Sequence, residues 1–280
     1  MSITVSMDGN YDMSYVSLTE KTKPDCQEQG MKYFEDDPWF SSAVFEQEWR
    51  EYQNRKQRVA VVIPTREEEE AIADLIKYCK PYADELLVVD GHSTDHTREI
   101  VEKLGCRAIL DNGKGKGDAV RLALNSVKSE IIVFIDADYS HRPADIPRLV
   151  CPILRDEADH VVGARLKGGS DELHGTFSKF IRMLGSDIIT LGVNLRFGTN
   201  LTESQNGFRA IRRDVALKLG LKENITTIEQ EMTIKTLRHR YRLVEVPCHE
   251  YARRYGDSKI KVWKVAAKYV YTWLKFLVIG

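Results

Sequence analysis

The sequence predicts an α/β protein with a mostly parallel, Rossmann-like sheet that is flanked by helices on both faces. Two observations lead to this fold class. Short apolar segments alternate along the chain with segments of helical periodicity, and short connections join them. In addition, the apolar segment at residues 131–135 is mostly β-branched, which is typical of a strand buried on both faces. The polar loops follow strand ends, so we expect them to converge on one edge of the sheet.

The predicted elements follow one another in a regular order. Strands are predicted at residues 59–63, 85–89, 106–110, 131–135 and 160–163. Helices are predicted at residues 69–79 and around 144–154. Another runs from a cap at Ser93 or Thr94 to Leu104, and a fourth follows the segment at 111–118 and ends at about Val127. Four glutamates open the first of these helices, where they favour a helix N-terminus.

Three regions differ in composition. Residues 1–57 hold 11 acidic and 6 basic side chains, whereas the remainder holds 31 acidic and 35 basic ones. We predict an acidic, partly helical N-terminal extension at residues 1–57, with its helical pattern at 38–56. The α/β domain is expected at residues 58–260 and an amphipathic C-terminal helix at 261–280.

The composition also excludes several classes of protein. Five scattered cysteines without C-x-x-C spacing argue against a disulfide framework or a zinc site and favour a reducing compartment. We find no signal-like N-terminus and no run of 18 uncharged apolar residues, so a cytoplasmic location is expected. The net charge of −1 and the clustering of basic residues at one site argue against a nucleic-acid binder.

The most informative motif is the pair Asp136 and Asp138, which directly follows the strand at 131–135. Two carboxylates at the carboxyl end of a strand repel each other unless a cation lies between them. Oxygen ligands of this kind suit Mg²⁺ or Mn²⁺ held jointly by protein and substrate phosphates. The alternative is an ordinary acidic turn, which a lone D-x-D would also fit.

A glycine-rich loop at residues 113–117 contains Lys114 and Lys116. It lacks the G-x-x-x-x-G-K-[ST] pattern, so a nucleoside triphosphatase is not expected. Glycines with lysines suit the close approach of backbone to a diphosphate, although a flexible solvated loop has the same composition.

Taken together, the motifs resemble family 2 glycosyltransferases of GT-A fold. The first half contributes P-T-R-E at 64–67, S-T-D-H-T at 93–97, G-K-G at 115–117 and D-A-D at 136–138. The second half contributes Q-N-G-F-R-A at 205–210, E-Q-E at 229–231, E-V-P at 245–247 and R-R-Y-G-D-S-K at 253–259. This second set is similar to the dolichol-phosphate mannosyltransferase branch. The resemblance implies an inverting enzyme that moves a hexose from a nucleotide-sugar to a polyprenyl or dolichyl phosphate.

The resemblance also implies roles for individual residues. Asp136 and Asp138 correspond to the ligands of the metal and the diphosphate, and Lys116 to the loop that meets the nucleotide. The remaining matches are the nucleoside pocket (Pro64, Thr65, Glu67, Asp90), a phosphate-binding arginine (Arg165), the acceptor-phosphate pair (Arg182, Ser186) and the closing loop (Arg254, Ser258, Lys259). Two positions depart from the family pattern. Gly91 replaces a frequent second aspartate and Ser140 a frequent glutamine, which leaves the nucleotide base and the third metal contact open.

The acceptor decides whether a catalytic base is needed. A phosphate is already an anion at neutral pH, so it requires positioning by cations such as Arg182, Arg253, Arg254 and Lys259 rather than a base. Glu229 and Glu231 are expected on a helix beside the site. There they either orient basic residues or, for a hydroxyl acceptor, supply the base, with Glu231 the candidate. A non-catalytic protein that binds nucleotide-sugars is a further alternative.

The C-terminal segment suggests a membrane surface. Lys261, Lys264, Lys268 and Lys275 fall on one helical stripe, interleaved with five aromatic residues: Trp263, Tyr269, Tyr271, Trp273 and Phe276. This pattern is typical of a helix that lies on an anionic bilayer with its aromatic side chains inserted. A helix that packs on the domain is the alternative.

Overall fold

The fold is that of a computed structural model, which describes residues 43–171, 177–253 and 262–279. These residues form a seven-stranded sheet with the order β3-β2-β1-β4-β6-β5-β7. Its strands are β1 (Val59–Thr65), β2 (Glu85–Asp90), β3 (Arg107–Leu110), β4 (Ile131–Phe134), β5 (His160–Ala164), β6 (Arg209–Arg212) and β7 (Leu243–Pro247). The sheet confirms the predicted α/β class.

The sheet is mostly parallel, as predicted, with one exception. Strands β1 to β4 pair in parallel, and so do β5 and β7. Strand β6 runs antiparallel to both β4 and β5. One antiparallel strand among seven agrees with the mostly parallel sheet expected from the sequence.

The helices α1 to α10 lie at Ala43–Gln53, Ile72–Cys79, Thr97–Lys103, Lys116–Ser126, Ile146–Leu154, Arg165–Gly168, Phe177–Phe197, Arg213–Lys218, Ile228–Arg238 and Val262–Leu274. A π-helical turn at Lys275–Ile279 continues α10. Helices α2 to α5 lie within a few residues of their predicted positions. No helix or strand is predicted from the sequence at residues 165–227, which hold the 21-residue helix α7 and strand β6.

Both faces of the sheet are covered. Val62 and Val89 belong to one apolar cluster with residues of α4, α8 and α9. Their strand neighbours Val61, Ile63 and Val88 point to the other face and are fully buried as well. A sheet covered on both sides explains why these strands read as continuous apolar runs instead of alternating ones.

Helix α1, from the predicted extension, packs against α5. Tyr52 is fully buried there, and Trp49 stacks on it with ring centroids 5.9 Å apart. Residues 38–42 of the predicted helical pattern, which include Trp39 and Phe40, lie outside the described ranges.

The C-terminal helix contacts α7 and α9. Phe276 and Leu277 are buried in a small core with Val193 and Ile234. Phe276 therefore faces the domain, contrary to the prediction that the aromatic side chains of this segment insert into a bilayer. Among the described residues, no helix is both long and apolar enough to cross a membrane.

Candidate active site

The topology brings several polar segments to one edge of the sheet. Strands β1, β2 and β4 are parallel, so Thr65, Asp90 and Asp136 lie at the same, carboxyl-terminal edge. Because β6 runs the other way, the segment before it, Gln205 to Gly207, reaches this edge too. Ligands of open α/β sheets bind at this edge.

A cavity of about 390 Å³ opens there. Four of the residues singled out from the sequence line it together: Lys116, Asp136, Asp138 and Arg165. Ser186, from the acceptor-phosphate pair, lines the same cavity. Further lining residues come from the segment at 202–207, from α9, from the segment after β7 and from α10, and include Glu203, Gln205, Gly207, Glu229, Glu250, Arg253, Tyr269 and Trp273.

Lys116 forms the centre of the first charged cluster. Its ammonium contacts Asp136 and lies 2.7 Å from Glu229 Oε1. Burial alone lowers the pKa of an ammonium, but the two carboxylates outweigh it and raise the pKa of Lys116 above its ordinary value. Burial likewise opposes ionisation of Asp136, yet Lys116 holds the pKa of that carboxyl below its usual range. Lys116 and Asp136 are therefore both charged at neutral pH.

Glu229 has the opposite tendency. Burial raises the pKa of Glu229, and the nearby charge of Asp136 adds to this against the effect of Lys116. Its second oxygen, Oε2, has no hydrogen-bond partner among the described residues. A buried carboxyl with one unsatisfied oxygen in a cavity wall is available to a ligand.

Gly207 approaches this cluster closely. A Cβ added to Gly207 would lie 2.5 Å from Asp136 Oδ2 and 2.7 Å from Lys116 Nζ. A side chain at position 207 would therefore displace the charged pair, whereas glycine lets the Q-N-G segment pass directly over it.

Asp138 forms the second charged cluster. Its Oδ1 accepts a hydrogen bond of 2.6 Å from Ser140 Oγ, and its Oδ2 lies 3.0 Å from Arg253. Ser140 therefore binds Asp138 itself. Arg253 is the first residue of the R-R-Y-G-D-S-K segment.

The donor set fits a divalent cation that a substrate helps to hold. Asp136 and Asp138 offer hard carboxylate oxygens on one cavity wall. Across the described ranges, no group of three or more His, Cys, Asp or Glu side chains converges on a metal position. Two protein carboxylates would leave further coordination positions for phosphate oxygens and water, as is usual for Mg²⁺.

Arg165 lies between two glutamates. Its Nε donates to Glu203 Oε2 at 2.6 Å, and Nη1 lies 3.2 Å from Glu250 Oε1. Burial opposes its charge, but the two carboxylates raise the pKa of Arg165 above its ordinary value. Arg165, expected to bind a phosphate, lines the cavity, but these two carboxylates already bind its guanidinium. Binding a phosphate would require it to share or exchange those contacts.

Glu203 connects Arg165 to the Q-N-G segment. Its Oε1 accepts backbone N–H bonds from Ser204 at 3.0 Å and Gln205 at 2.9 Å. Glu203 therefore fixes both Arg165 and the residues that lead to Gly207. Sequence reasoning missed Glu203 and Glu250, because nothing distinguishes a single glutamate in a loop before the fold is known.

The residues expected to hold the nucleoside form a neighbouring group. Thr65 and Asp90 are register partners across β1 and β2. Ser93 Oγ donates to Asp90 at 2.5 Å, and Thr94 Oγ1 donates to Glu67 at 2.8 Å. These side chains and Pro64 lie outside the cavity lining described above. The hydroxyl of Thr65 is buried and has no partner within the described part of the chain.

Glu231 does not lie at the cavity. It is fully buried and accepts backbone N–H bonds from Lys222 and Glu223, and its Oε1 lies 2.7 Å from Lys235 Nζ. A group engaged in this way stabilises the start of α9 and the loop before it. Its neighbour Glu229 is the residue of the E-Q-E motif that faces the cavity.

Several predicted residues lie outside what the structure describes. Arg254, Ser258 and Lys259 fall between residues 253 and 262, and the side chain of Arg182 is also outside the description. Of this basic set, Arg253 is the described member that reaches the cavity.

Two further wall residues carry unsatisfied polar atoms. His141 Nδ1 and Gln205 Nε2 are buried and have no hydrogen-bond partner among the residues described. The ring of His141 stacks on Phe208 with centroids 5.0 Å apart, which fixes its orientation. Together with Glu229 Oε2, these atoms mark the cavity as a site for a polar ligand.

Comparison with known proteins identifies the family. The model of glycosyl transferase family 2 matches residues 60–220, and the chain belongs to this family. It is therefore a glycosyltransferase, and the fold class and family expected from the sequence are both confirmed.

Two curated relatives from Haloferax volcanii show the range of similarity. Glycosyltransferase AglJ is 32% identical over 205 residues, which cover 71% of this chain and 65% of that protein. A dolichyl-phosphate hexose transferase is 28% identical over 205 residues, which cover 72% of this chain and 86% of that protein. An undecaprenyl-phosphate 4-deoxy-4-formamido-L-arabinose transferase of Proteus mirabilis is 27% identical and covers 74% of this chain and 64% of that protein.

Solved structures share the fold. Glucosyl-3-phosphoglycerate synthase of Mycobacterium tuberculosis, crystallised with Mn²⁺, UDP and glucosyl-3-phosphoglycerate, matches with a TM-score of 0.65. The match covers 84% of this chain and 85% of that one at 21% identity. A crystal form of that enzyme with Mg²⁺ and UDP matches with a TM-score of 0.66, at 21% identity, and covers 84% of both chains.

Proposed function

We propose that this enzyme transfers a hexose, with inversion, from a nucleotide-sugar to a polyprenyl or dolichyl phosphate. GDP-mannose, UDP-glucose and UDP-N-acetylglucosamine are the donors to consider. One observation carries the proposal: Asp136, Asp138 and Lys116 share a single cavity with Ser186, the described member of the acceptor-phosphate pair. Two relatives, a dolichyl-phosphate hexose transferase and an undecaprenyl-phosphate 4-deoxy-4-formamido-L-arabinose transferase, support the same acceptor class.

On the donor side, the chain supplies charge for the diphosphate. Asp136 and Asp138 would hold Mg²⁺ or Mn²⁺, which neutralises the charge that develops on the leaving diphosphate. Lys116 adds a fixed positive charge beside Asp136. Arg253, now on Asp138, is near enough to exchange that carboxylate for a phosphate oxygen.

On the acceptor side, a phosphate requires position and charge balance rather than deprotonation. Ser186 can donate a hydrogen bond into the cavity. Arg182, Arg254, Ser258 and Lys259 are proposed as further acceptor or closing-loop contacts. Pro64, Thr65, Glu67 and Asp90 are proposed to hold the nucleoside.

A hydroxyl acceptor is the second candidate, and one observation favours it. The described cavity lining carries six carboxylates (Asp136, Asp138, Asp187, Glu203, Glu229, Glu250) against three cations (Lys116, Arg165, Arg253). Burial, reinforced by Glu203, raises the pKa of Asp187, which suits a proton acceptor for a hydroxyl.

The acceptor class implies a location. A polyprenyl phosphate lies in a bilayer, so we propose that the enzyme is peripheral and acts at the cytoplasmic face of a membrane.

A donor panel tests the proposal. Purified protein would be incubated with each labelled nucleotide-sugar, Mg²⁺ or Mn²⁺, and a short polyprenyl phosphate, followed by partition into organic solvent. Label in the organic phase, lost with a chelator, is the expected result. Turnover that appears only with a soluble hydroxyl acceptor would favour the second candidate, and donor binding without any turnover would contradict both.

A further inference from the structure

Helix α7 exposes a continuous apolar strip. Leu184, Ile188, Leu191 and Leu195 are 45%, 53%, 56% and 78% exposed, respectively. Their spacing of four, three and four residues places them on one side of the helix, along three turns. A globular protein seldom leaves such a strip exposed without a use for it.

The end of α10 exposes a second apolar set. Val270, Tyr271 and Leu274 are 48%, 64% and 49% exposed. They are therefore available on the surface while their neighbours Thr272 and Phe276 are buried. Of the aromatic residues that the sequence analysis named in this segment, Tyr271 is therefore exposed, whereas Phe276 is buried.

The two strips meet at the candidate active site. The two helices touch where Gly192 lies against Trp273, since a Cβ at Gly192 would overlap the indole ring. Ile188 of the first strip and Val270 of the second both line the cavity. The exposed apolar surface is therefore continuous with the cavity wall that carries Ser186.

The charges of these elements favour one kind of partner. Residues 177–197 and 262–279 together contain six basic residues and one acidic residue. A soluble acidic protein would satisfy that charge, but it would not account for two exposed apolar strips that border a cavity. An anionic bilayer accounts for the basic charge and for the apolar strips, because apolar side chains enter the acyl boundary while lysine and arginine contact the headgroups.

We propose that the exposed strips of α7 and α10, defined by Leu184, Ile188, Leu191 and Leu195 with Val270, Tyr271 and Leu274, dock on an anionic lipid bilayer. This docking surface rests on the proposed function, since it would bring the cavity to the phosphate of a membrane-embedded acceptor. Helix α7 contributes four of the seven residues that define this docking surface, and α10 contributes three.

The test measures vesicle binding and transfer separately. Flotation would compare wild-type protein with the double variant Leu191→Ser/Leu195→Ser, on phosphatidylcholine vesicles with and without phosphatidylglycerol. Neither leucine lines the cavity. The matched control is Leu217→Ser on α8, an exposed leucine outside both strips.

We expect wild type and control to bind the anionic vesicles, and the double variant to bind about tenfold or more weakly, from the loss of two inserted side chains. Transfer to a vesicle-embedded long-chain acceptor should fall in parallel, whereas transfer to a short, water-soluble polyprenyl phosphate should be unchanged. Equal binding of variant and wild type, or no binding by wild type, overturns the docking surface.

Two other outcomes are informative. If size-exclusion shows that the double variant loses a dimer instead of vesicle binding, the strips are an interface between copies and the proposal is wrong. If wild type binds vesicles but transfers sugar to no lipid phosphate, the proposed function fails while the docking surface stands.

Discussion

The ammonium of Lys116 lies between the carboxylates of Asp136 and Glu229, 2.7 Å from Glu229 Oε1. A single lysine, at the N-terminus of α4, thus connects the segment that follows strand β4 to helix α9 across the cavity. Lys116 and Glu229, the first and last of these three residues in the chain, are more than 110 positions apart.

Replacing Lys116 with methionine is expected to reduce sugar transfer by about 10²–10³-fold, because it removes a fixed charge from the side of the cavity proposed to hold the diphosphate. Initial rates at saturating donor would measure the effect. Lys114→Met, an exposed lysine in the same loop, is the matched control and should retain activity. Equal activity of both variants would contradict a role for Lys116.

The substitution Glu203→Gln is expected to lower kcat by about 10-fold or more, by analogy with the loss of groups that orient charged site residues. Glutamine keeps the shape but weakens the charged hydrogen bond to Arg165. Steady-state kinetics should show a larger change in kcat than in the donor KM, with little change in Tm. Glu102→Gln, on the exposed face of α3, serves as control. A fall in Tm with normal kcat would show that Glu203 is only structural.

The two glutamates of α9 should behave differently. Glu229→Gln is expected to impair transfer, since Glu229 contacts Lys116 at the cavity. Glu231→Gln is expected to cost about 3–5 kcal/mol of unfolding free energy, because Lys235 would lose its buried partner. In Glu231→Gln, the transfer activity per folded molecule should be retained. Denaturant unfolding and transfer assays on both proteins would check this, and a stable but inactive Glu231→Gln would refute it.

Acid should destabilise the fold through His160. This residue is fully buried, and burial holds its pKa well below the ordinary value of 6.5. Below about pH 6.5 the unfolded chain binds a proton at this site that the folded chain does not. Stability therefore falls with decreasing pH by about 1.4 kcal/mol per unit from this residue. Chemical denaturation between pH 7.5 and 5 (roughly the span in which a histidine titrates) should show a smaller slope for His160→Gln than for wild type. His239→Gln, an exposed control, should keep the wild-type slope.

The first half of the fold was accessible from sequence because its strands are buried on both faces and end in polar turns. Asp136 and Asp138 could be singled out for that reason. Strand β6 was not predicted, because it is only four residues long and has an arginine at each end. The sequence singled out Glu231 as the candidate base, whereas Glu229 lines the cavity. Residues two apart on a helix point about 200° apart, so one faces the cavity and the other the interior.

The reversed direction of β6 has a practical consequence for attaching probes. The edge of the sheet opposite the site collects the beginnings of β1 and β4 and the end of β6, and Lys128, just before β4, is exposed there. A fluorophore or surface tether at position 128 would hold the enzyme by its far side. In an enzyme immobilised in this way, the cavity and both apolar strips of the docking surface would remain open to vesicles supplied in solution.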